Sequence, residues 1–434
     1  MIIGIRKETQ YPSERRAALT PDHVNKIVKS GIRVLVEPGE NQRIFSDTEY
    51  AERGAVISKD LSEAKVIFGV KEIPIKDLIP NKTFVFFSHT IKGQEYNMAL
   101  LKAILEKNVT LIDYELVKND EGLRIIFFGK FAGYAGIIDS LWLLGQRLNF
   151  EGINTPFSKV LQATNYDLLT NAEDQLEIVG KEISENGLPG EIVPLITGFT
   201  GYGNVSKGAQ ELYDILPSIE IKPDELKEFI SNGNFSNKHV YKTEFKEEDM
   251  YGHKDGKEFD LDHFLKNPDE YFSKMDKYLP YLSMLVNGIY WENRFPKHVT
   301  KNLMKNYYES NNDHKLKVIG DITCDIEGSV ELTVKATSSN NPSYVYEPLS
   351  GKILDGIQGK GPVILAVDKL PAELPKQASK TFGDALIPFV KSLAEAEYSV
   401  SYENLNLSRE FKDAIIAHKG ELTPNFKYLG KFLQ

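Results

Sequence analysis

The chain has 434 residues, of which 41% are hydrophobic and 26% charged, an ordinary globular composition with length for two or three cored domains. A net charge of −10 with no basic run argues against a nucleic-acid surface. The single cysteine, Cys324, excludes a disulfide within the chain and fits a reducing compartment, so a cytoplasmic protein is expected. No secretory signal opens the chain. The most apolar stretch, Phe131 to Leu148, is interrupted by Asp139, Gln146 and Arg147 and reads as a helix of a globular protein, so no membrane partner is expected.

The first 130 residues alternate strand and helix patterns. Met1–Ile5, Val34–Glu37, Val66–Val70, Thr83–Phe87 and Val109–Asp113 read as short buried strands. Pro21–Ser30, Asp47–Arg53 and Gly93–Lys107 read as helices between them. Such alternation predicts a parallel sheet covered on both faces. Four places put charge at a strand end or tight turn, where ligands sit in open α/β sheets. They are Glu14 to Pro21 with Arg16, Phe68 to Pro74 with Lys71 and Glu72, Phe86 to Lys92 with His89 and Lys92, and Asp113 to Glu115 with Arg124 beyond. Each taken alone reads equally as a solvated charge or a surface ion pair. Together, a lysine and a histidine at neighbouring strand ends make an acid/base pair, and Arg16, Lys92 and Arg124 suit a substrate with several carboxylates.

Phe131–Phe150 is a long apolar helix, expected to be buried where two domains meet. Near Glu191 a second α/β unit begins. The apolar run Ile192–Ile196 enters a turn containing Gly198, Gly201 and Gly203, and an apolar-periodic helix leaves it through Asn204 and Val205. Strand, glycine turn, helix is the context a dinucleotide pyrophosphate requires, because glycines let backbone N–H groups approach and the helix N-terminus favours negative charge. Ser206 stands where the common Gly-x-Gly-x-x-Gly pattern has its third glycine, so helix and strand are expected to pack slightly farther apart there. Further strands are read at Ser218–Ile221, Val286–Ile289, Lys317–Asp321 and Val363–Val367. If Lys222 occupies the tip of the strand after the glycine turn, it welcomes a ribose 2′-phosphate and favours NADP (NADPH); a one-residue shift puts Glu220 or Asp224 there and favours NAD. Lys242–Tyr281 is charged and aromatic, and reads as an insertion near 242–281, too polar for core. Asn287 at a strand end and Asp325 in a following turn are candidates to border the nicotinamide. Leu370–Val390 reads as a helix returning to the first domain.

The expected fold is therefore α/β: two Rossmann-like doubly wound parallel-sheet domains with a cleft between them. A substrate domain spans 1–150 and is completed by 366–434, and a dinucleotide domain spans 151–365. No metal ligand set stands out.

The ordered motifs Arg-Ala-Ala-Leu-Thr-Pro, Gly-Val-Lys-Glu-Ile-Pro, Phe-Ser-His-Thr-Ile-Lys, Phe-Gly-Lys-Phe-Ala-Gly, Gly-Tyr-Gly-Asn-Val-Ser-Lys-Gly-Ala, Asn-Gly-Ile-Tyr-Trp-Glu and Asp-Ile-Thr-Cys-Asp carry a resemblance. From residue 3 to about 430 the chain resembles the lysine–ketoglutarate reductase (saccharopine-forming) domain. More broadly it is similar to the superfamily of alanine dehydrogenase, lysine-forming saccharopine dehydrogenase and the nucleotide-binding transhydrogenase subunit. The resemblance implies NADPH-dependent reductive condensation of L-lysine with 2-oxoglutarate to saccharopine, in lysine degradation. It implies Lys71 and His89 as catalytic groups, and Arg16, Lys92 and Arg124 as holders of substrate carboxylates. It further implies Glu72 and Glu115 as acidic neighbours and Asp325 as a group near the nicotinamide. It also implies a stand-alone reductase, or one working with a separate saccharopine-cleaving dehydrogenase, and is compatible with a homo-oligomer. The alternatives are an NAD-dependent lysine-forming saccharopine dehydrogenase, an alanine dehydrogenase-like enzyme, or a non-catalytic transhydrogenase-type subunit.

Overall fold

A computed structural model describes residues 1–9, 14–39, 42–310 and 314–433. The chain divides into two compact units, one of Met1–Phe128 with Pro375–Gln434 and the other of Gly129–Leu374. The divisions fall at 128/129 and 374/375 rather than at 150/151 and 365/366. The reason is the long helix Phe131–Phe150, which packs on the sheet and helices of the second unit.

In the first unit the chain runs β1 (Ile2–Ile5), helix Pro21–Lys29, β2 (Arg33–Val36), β3 (Val56–Ile57), β4 (Val66–Phe68), β5 (Thr83–Phe86), helix Glu95–Glu106 and β6 (Thr110–Asp113). In the second it runs helix Phe131–Phe150, β7 (Ile196–Thr200), helix Asn204–Tyr213, β8 (Ser218–Glu220), β9 (Val240–Phe245), β10 (Tyr251–His253), β11 (Tyr271–Ser273), β12 (Met284–Asn287), β13 (Val318–Asp321), β14 (Ser343–Tyr346), β15 (Ile353–Asp355) and β16 (Val363–Leu365). It then returns to the first unit through helix Pro375–Glu395, β17 (Ile415–His418) and β18 (Glu421–Leu422).

The first sheet has eight strands in the order β18-β17-β6-β5-β4-β1-β2-β3. It is parallel from β6 to β3, and the returning β17 and β18 add antiparallel at one edge. Its side chains alternate between two cores. Ile3, Ile5, Val34, Val66, Phe68 and Val85 point to one face, and Leu35, Ile67, Phe84 and Phe86 to the other. Both faces are buried, which is why these strands read as continuous apolar runs. Pro21 begins its helix behind the Thr20 N-cap, and this fixes the chain just after Arg16.

The second sheet also has eight strands, ordered β15-β14-β16-β13-β12-β7-β9-β8, parallel except at β14. β9 sits directly beside β7, and β8 lies outside it at the edge. Lys242–Phe245 therefore belongs to the central sheet, with Lys242 and Thr243 buried, and is not inserted chain. The Lys242 ammonium reaches that depth because Asp214 accepts its hydrogen bond at 2.7 Å. The rest of the segment also feeds the core: Met250, Tyr251, Phe264, Tyr271, Met275 and Leu279 are buried in the second unit. Helix Phe131–Phe150 crosses helix Asn204–Tyr213 closely. A Cβ on Gly133 would lie 2.0 Å from the Val205 carbonyl oxygen, and one on Gly208 would lie 2.6 Å from that of Lys130. Among the described residues no helix is long and apolar enough to cross a membrane.

Candidate active site

In the first unit, β1, β4, β5 and β6 are parallel neighbours, so their C-terminal ends open on one edge. Just beyond those ends lie Glu8, Lys71 with Glu72, His89, and Glu115. Four segments distant in sequence thus present their charges together.

His89 donates from or accepts at Nδ1 toward Glu72 Oε1, 2.6 Å away. A carboxylate there takes the Nδ1 proton and leaves Nε2 as the atom available to a ligand. Burial raises the Glu72 carboxyl, but the His89 hydrogen bond and charge and the Lys71 charge outweigh it and hold it below the usual range. His89 stands in the left-handed region at φ 50°, an uncommon state for a residue with a side chain. Asn97 Nδ2 holds its carbonyl at 2.9 Å, and Glu72 holds its ring. Beside it, Ser88 donates to the buried Asp113 carboxyl, which burial pushes up to about 6.

The Lys71 side chain makes no hydrogen bond or ion pair among the described residues, although its charge acts on both Glu14 and Glu72. Its backbone N–H donates to Glu8 Oε2 and that of Val70 to Glu8 Oε1, both at 2.8 Å. Glu8 is buried, and burial pushes its carboxyl up to about 7. Glu8 therefore clamps the turn that carries Lys71.

Arg16 is buried with Glu14. Its Nε and Nη2 donate to the two carboxylate oxygens at 2.7 and 2.6 Å, and its guanidinium stacks 3.9 Å over the Phe128 ring. One bidentate edge of Arg16 is thus already occupied, which leaves only the remaining N–H groups for a substrate carboxylate. Arg124 is half-exposed and donates to Glu115 at 2.5 Å. Lys92 is exposed and unpaired among the described residues, in a loop covered by Phe432 at Gly93. Lys71, Glu72 and His89 are brought together; Arg16 joins them through Glu14; Arg124 and Glu115 pair with each other.

In the second unit, Gly201 takes φ 80° in the turn, and Gly203 caps helix Asn204–Tyr213 with open space where a Cβ would stand. Asn204 is exposed at that helix N-terminus and Val205 half-buried behind it. This is a cradle for an anion of a dinucleotide. Above it lies a cavity of about 280 Å³ lined by Gly201, Tyr202, Gly203, Glu247, Gly288 and a wall of Tyr251, Phe264 and Trp291 among others. The close approach lost at Ser206 is recovered across the sheet end: a Cβ on Gly288 would sit 3.2 Å from the Ser206 nitrogen.

Three residues expected at the cofactor lie apart from the glycine turn's open face. Gly198 lies inside β7, and its missing side chain makes room for Phe245 and Leu282, each 2.8 Å from a would-be Cβ. Asn287 is fully buried. Its Oδ1 accepts from Thr200 at 2.6 Å and its Nδ2 donates to Asp321 and Ser329 at 2.8 and 2.9 Å, so it ties three strand ends together and has nothing left for a ligand. Lys222 follows the edge strand β8, one strand removed from β7. The tip beside β7 belongs to β9 and carries Glu244, Lys246 and Glu247. Glu247, Glu248 and Glu244 all act on Tyr202 and raise its hydroxyl, Glu247 most. Asp325 is exposed in the loop after β13, between Cys324 at φ 54° and Glu327 at φ 49°.

Glu8, Glu14 and Glu247 escaped assignment in the sequence. Glu8 closes the run Arg6-Lys7-Glu8 after β1, the same strand-end signal that marked Lys71. Glu247 was hidden by reading β9 as the start of an insertion.

Comparisons with known proteins agree with this layout. Residues 4–135 match the family model for the alanine dehydrogenase/PNT N-terminal domain. By fold, the chain is similar to an L-alanine dehydrogenase, with a TM-score of 0.64 at 18% identity over all of both chains. It is also similar to a transhydrogenase from Sinorhizobium meliloti, at 0.57 and 15% over 98% of this chain and all of that one. The fold is thus that of alanine dehydrogenase, α/β in two units. By sequence, the chain is 38% identical over 99% of its length to the mitochondrial alpha-aminoadipic semialdehyde synthase of Bos taurus, covering 48% of that protein. It is 39% identical to that of Arabidopsis thaliana, over 99% of this chain and 41% of the relative. It is 26% identical to the saccharopine dehydrogenase (NAD(+), L-lysine-forming) of Emericella nidulans, over 91% of this chain and 92% of that one. The chain spans about half the length of the synthases it matches. It is similar to those synthases over nearly its whole length and, more distantly, to the lysine-forming saccharopine dehydrogenases.

Proposed function

We propose that this protein is an oxidoreductase that joins L-lysine to 2-oxoglutarate by reductive condensation, giving saccharopine. The observation that carries this reading is the Lys71, Glu72 and His89 cluster at adjacent strand ends, in a chain aligned over 99% of its length with the semialdehyde synthases. The ε-amine of lysine attacks the ketone of 2-oxoglutarate, and the carbinolamine loses water to an imine. His89, aligned by Glu72, takes the amine proton at Nε2 and returns it to the departing hydroxyl. The Lys71 ammonium, unpaired, donates to the developing oxyanion. Arg124 and the free edge of Arg16 receive carboxylates, and Lys92 can join them. The imine left by loss of water is protonated on nitrogen, and bound reduced nicotinamide would supply the hydride that converts it to the secondary amine.

The residues present suit a dinucleotide in the second unit: Gly201, Gly203, Asn204 and Val205 for the pyrophosphate, and Glu247 for a ribose hydroxyl. With Lys222 remote, the acids at the end of β9 oppose a 2′-phosphate, and the cofactor reading becomes NAD(H) rather than NADPH. That same observation favours a second reading, the reaction run in reverse as NAD-dependent, lysine-forming saccharopine cleavage. Steady-state kinetics tests both, with lysine plus 2-oxoglutarate under NADH or NADPH, and saccharopine plus NAD. Turnover only with pyruvate and ammonia would refute the substrate assignment. Full activity of Lys71→Met would refute the catalytic one.

A further inference from the structure

We infer that His253, His263 and Glu270 form a binding site for a divalent transition-metal ion of the zinc class. The three come from the end of β10, the helix Leu261–Lys266 and the turn Pro268–Glu270 that precedes β11. Their ligand atoms all lie within 4.8 Å of one another. Two imidazoles and one carboxylate are a common donor set for such ions.

The hydrogen bonds around the cluster point to a cation. Tyr271 Oη lies 3.4 Å from the Asp260 carbonyl oxygen, to which it donates, and 3.2 Å from His263 Nδ1; in the tautomer with the proton on Nδ1 that hydroxyl oxygen accepts from His263. That leaves His263 Nε2 without a proton, facing Glu270 Oε2 at 3.9 Å. Two acceptors confront each other across a gap too wide for a hydrogen bond. Metal–nitrogen and metal–oxygen bonds of about 2.0–2.2 Å each let one ion bridge that gap. His253 Nε2 lies 3.1 Å from the same carboxylate oxygen and completes the triad.

His253 now carries its proton on Nε2, because Nδ1 accepts from the Asp255 backbone N–H at 3.1 Å. Metal binding at Nε2 would move that proton to Nδ1, displacing the Asp255 N–H, with the Asp255 carboxylate on that side and its Oδ2 4.0 Å away. A carboxylate behind a ligating imidazole is the usual arrangement for fixing its tautomer. His253 is buried at the floor, while His263 and Glu270 are partly exposed and give the ion a way in; water completes the coordination. The ion would clip the helix Leu261–Lys266 to the β10–β11 hairpin. Phe264 and Leu265 of that helix line the cavity above the glycine turn, so the clip stiffens one wall of it.

The test is a zinc titration of the full, chelator-stripped protein against a chromophoric competitor, which needs no turnover and stands apart from the proposed reaction. One equivalent should bind. His263→Ala and Glu270→Gln, chosen because both side chains are partly exposed, should each weaken binding by about tenfold or more, and the double variant should abolish it. Zinc should also raise Tm in the wild type and not in the double variant. A stoichiometry far below one, or equal affinity in the double variant with its fold intact by circular dichroism, overturns the site.

Discussion

Replacing Glu72 by glutamine tests the acid/base assignment at its most exposed joint. The glutamine carbonyl still accepts from His89 Nδ1, so the ring keeps its tautomer and orientation. What is lost is the negative charge that stabilises the imidazolium formed when His89 takes the substrate proton. A charge-assisted hydrogen bond of this kind, 2.6 Å long and largely buried, contributes roughly 1.5–3 kcal/mol. At about 1.4 kcal/mol per factor of ten, kcat should fall about 10- to 150-fold, with KM for lysine changed little. Glu72→Ala also releases the ring and should fall further. Glu72 Oε2 is buried with no hydrogen-bond partner, so the amide nitrogen of the introduced glutamine would sit there unsatisfied, at a stability cost of about 1–3 kcal/mol. Melting curves are therefore recorded with the kinetics, and rates are compared well below the variant's Tm. The assay follows loss of nicotinamide absorbance with saturating 2-oxoglutarate. A glutamine variant that is folded and turns over within about threefold of wild type would refute the role given to Glu72.

Glu8 predicts a pH dependence of stability. Its folded carboxyl is raised by burial from 4.5 to about 7, so the fold favours the protonated form. That contribution is whole below the unfolded value and is lost as pH climbs to about 7, amounting to about 3 kcal/mol. Denaturant midpoints on the two sides of this window should fall with rising pH in the wild type and much less in Glu8→Gln. For the cofactor, Glu247→Arg should move the kcat/KM ratio toward NADPH by about tenfold or more, whereas Lys222→Ala should leave it within about twofold. A large effect at Lys222 would restore the tip to β8. Gly203→Ala meets no atom within 4 Å and should keep its Tm while weakening cofactor binding. Gly133→Ala drives a Cβ to 2.0 Å from the Val205 carbonyl oxygen and should unfold or misassemble the second unit, read by circular dichroism.

Much of the fold is legible because both faces of a parallel sheet are buried. Runs such as Val66–Phe68 and Phe84–Phe86 have no polar residue to blur their ends, and the charges that follow stand out against them. Lys71, Glu72 and His89 were readable for that reason. Their pairing was not: that Glu72 takes Nδ1 of His89, while Lys71 stays free, follows from β4 and β5 lying side by side. Arg16 illustrates the converse. Its position before a Thr-Pro helix start is plain in sequence, but the adjacent Glu14 reads as just another surface acid until burial makes it the arginine's partner.

Strand order explains why the cofactor end was harder to read. A chain read residue by residue assumes that the next strand in sequence is the next in space. Here β8 is three residues long and goes to the edge, and the chain comes back to place β9 against β7. β9 carries Lys242 and Glu244 because each finds a partner: Asp214 for the lysine, Gln210 for the glutamate, both at 2.7 Å. A strand whose polarity is compensated by tertiary contacts has no apolar signature, and polarity alone made it look inserted. On the reading proposed above, the strand beside β7 offers the ribose Glu244 and Glu247 flanking Lys246 rather than Lys222. The paired variants Glu247→Arg and Lys222→Ala test whether cofactor preference follows the order of the strands.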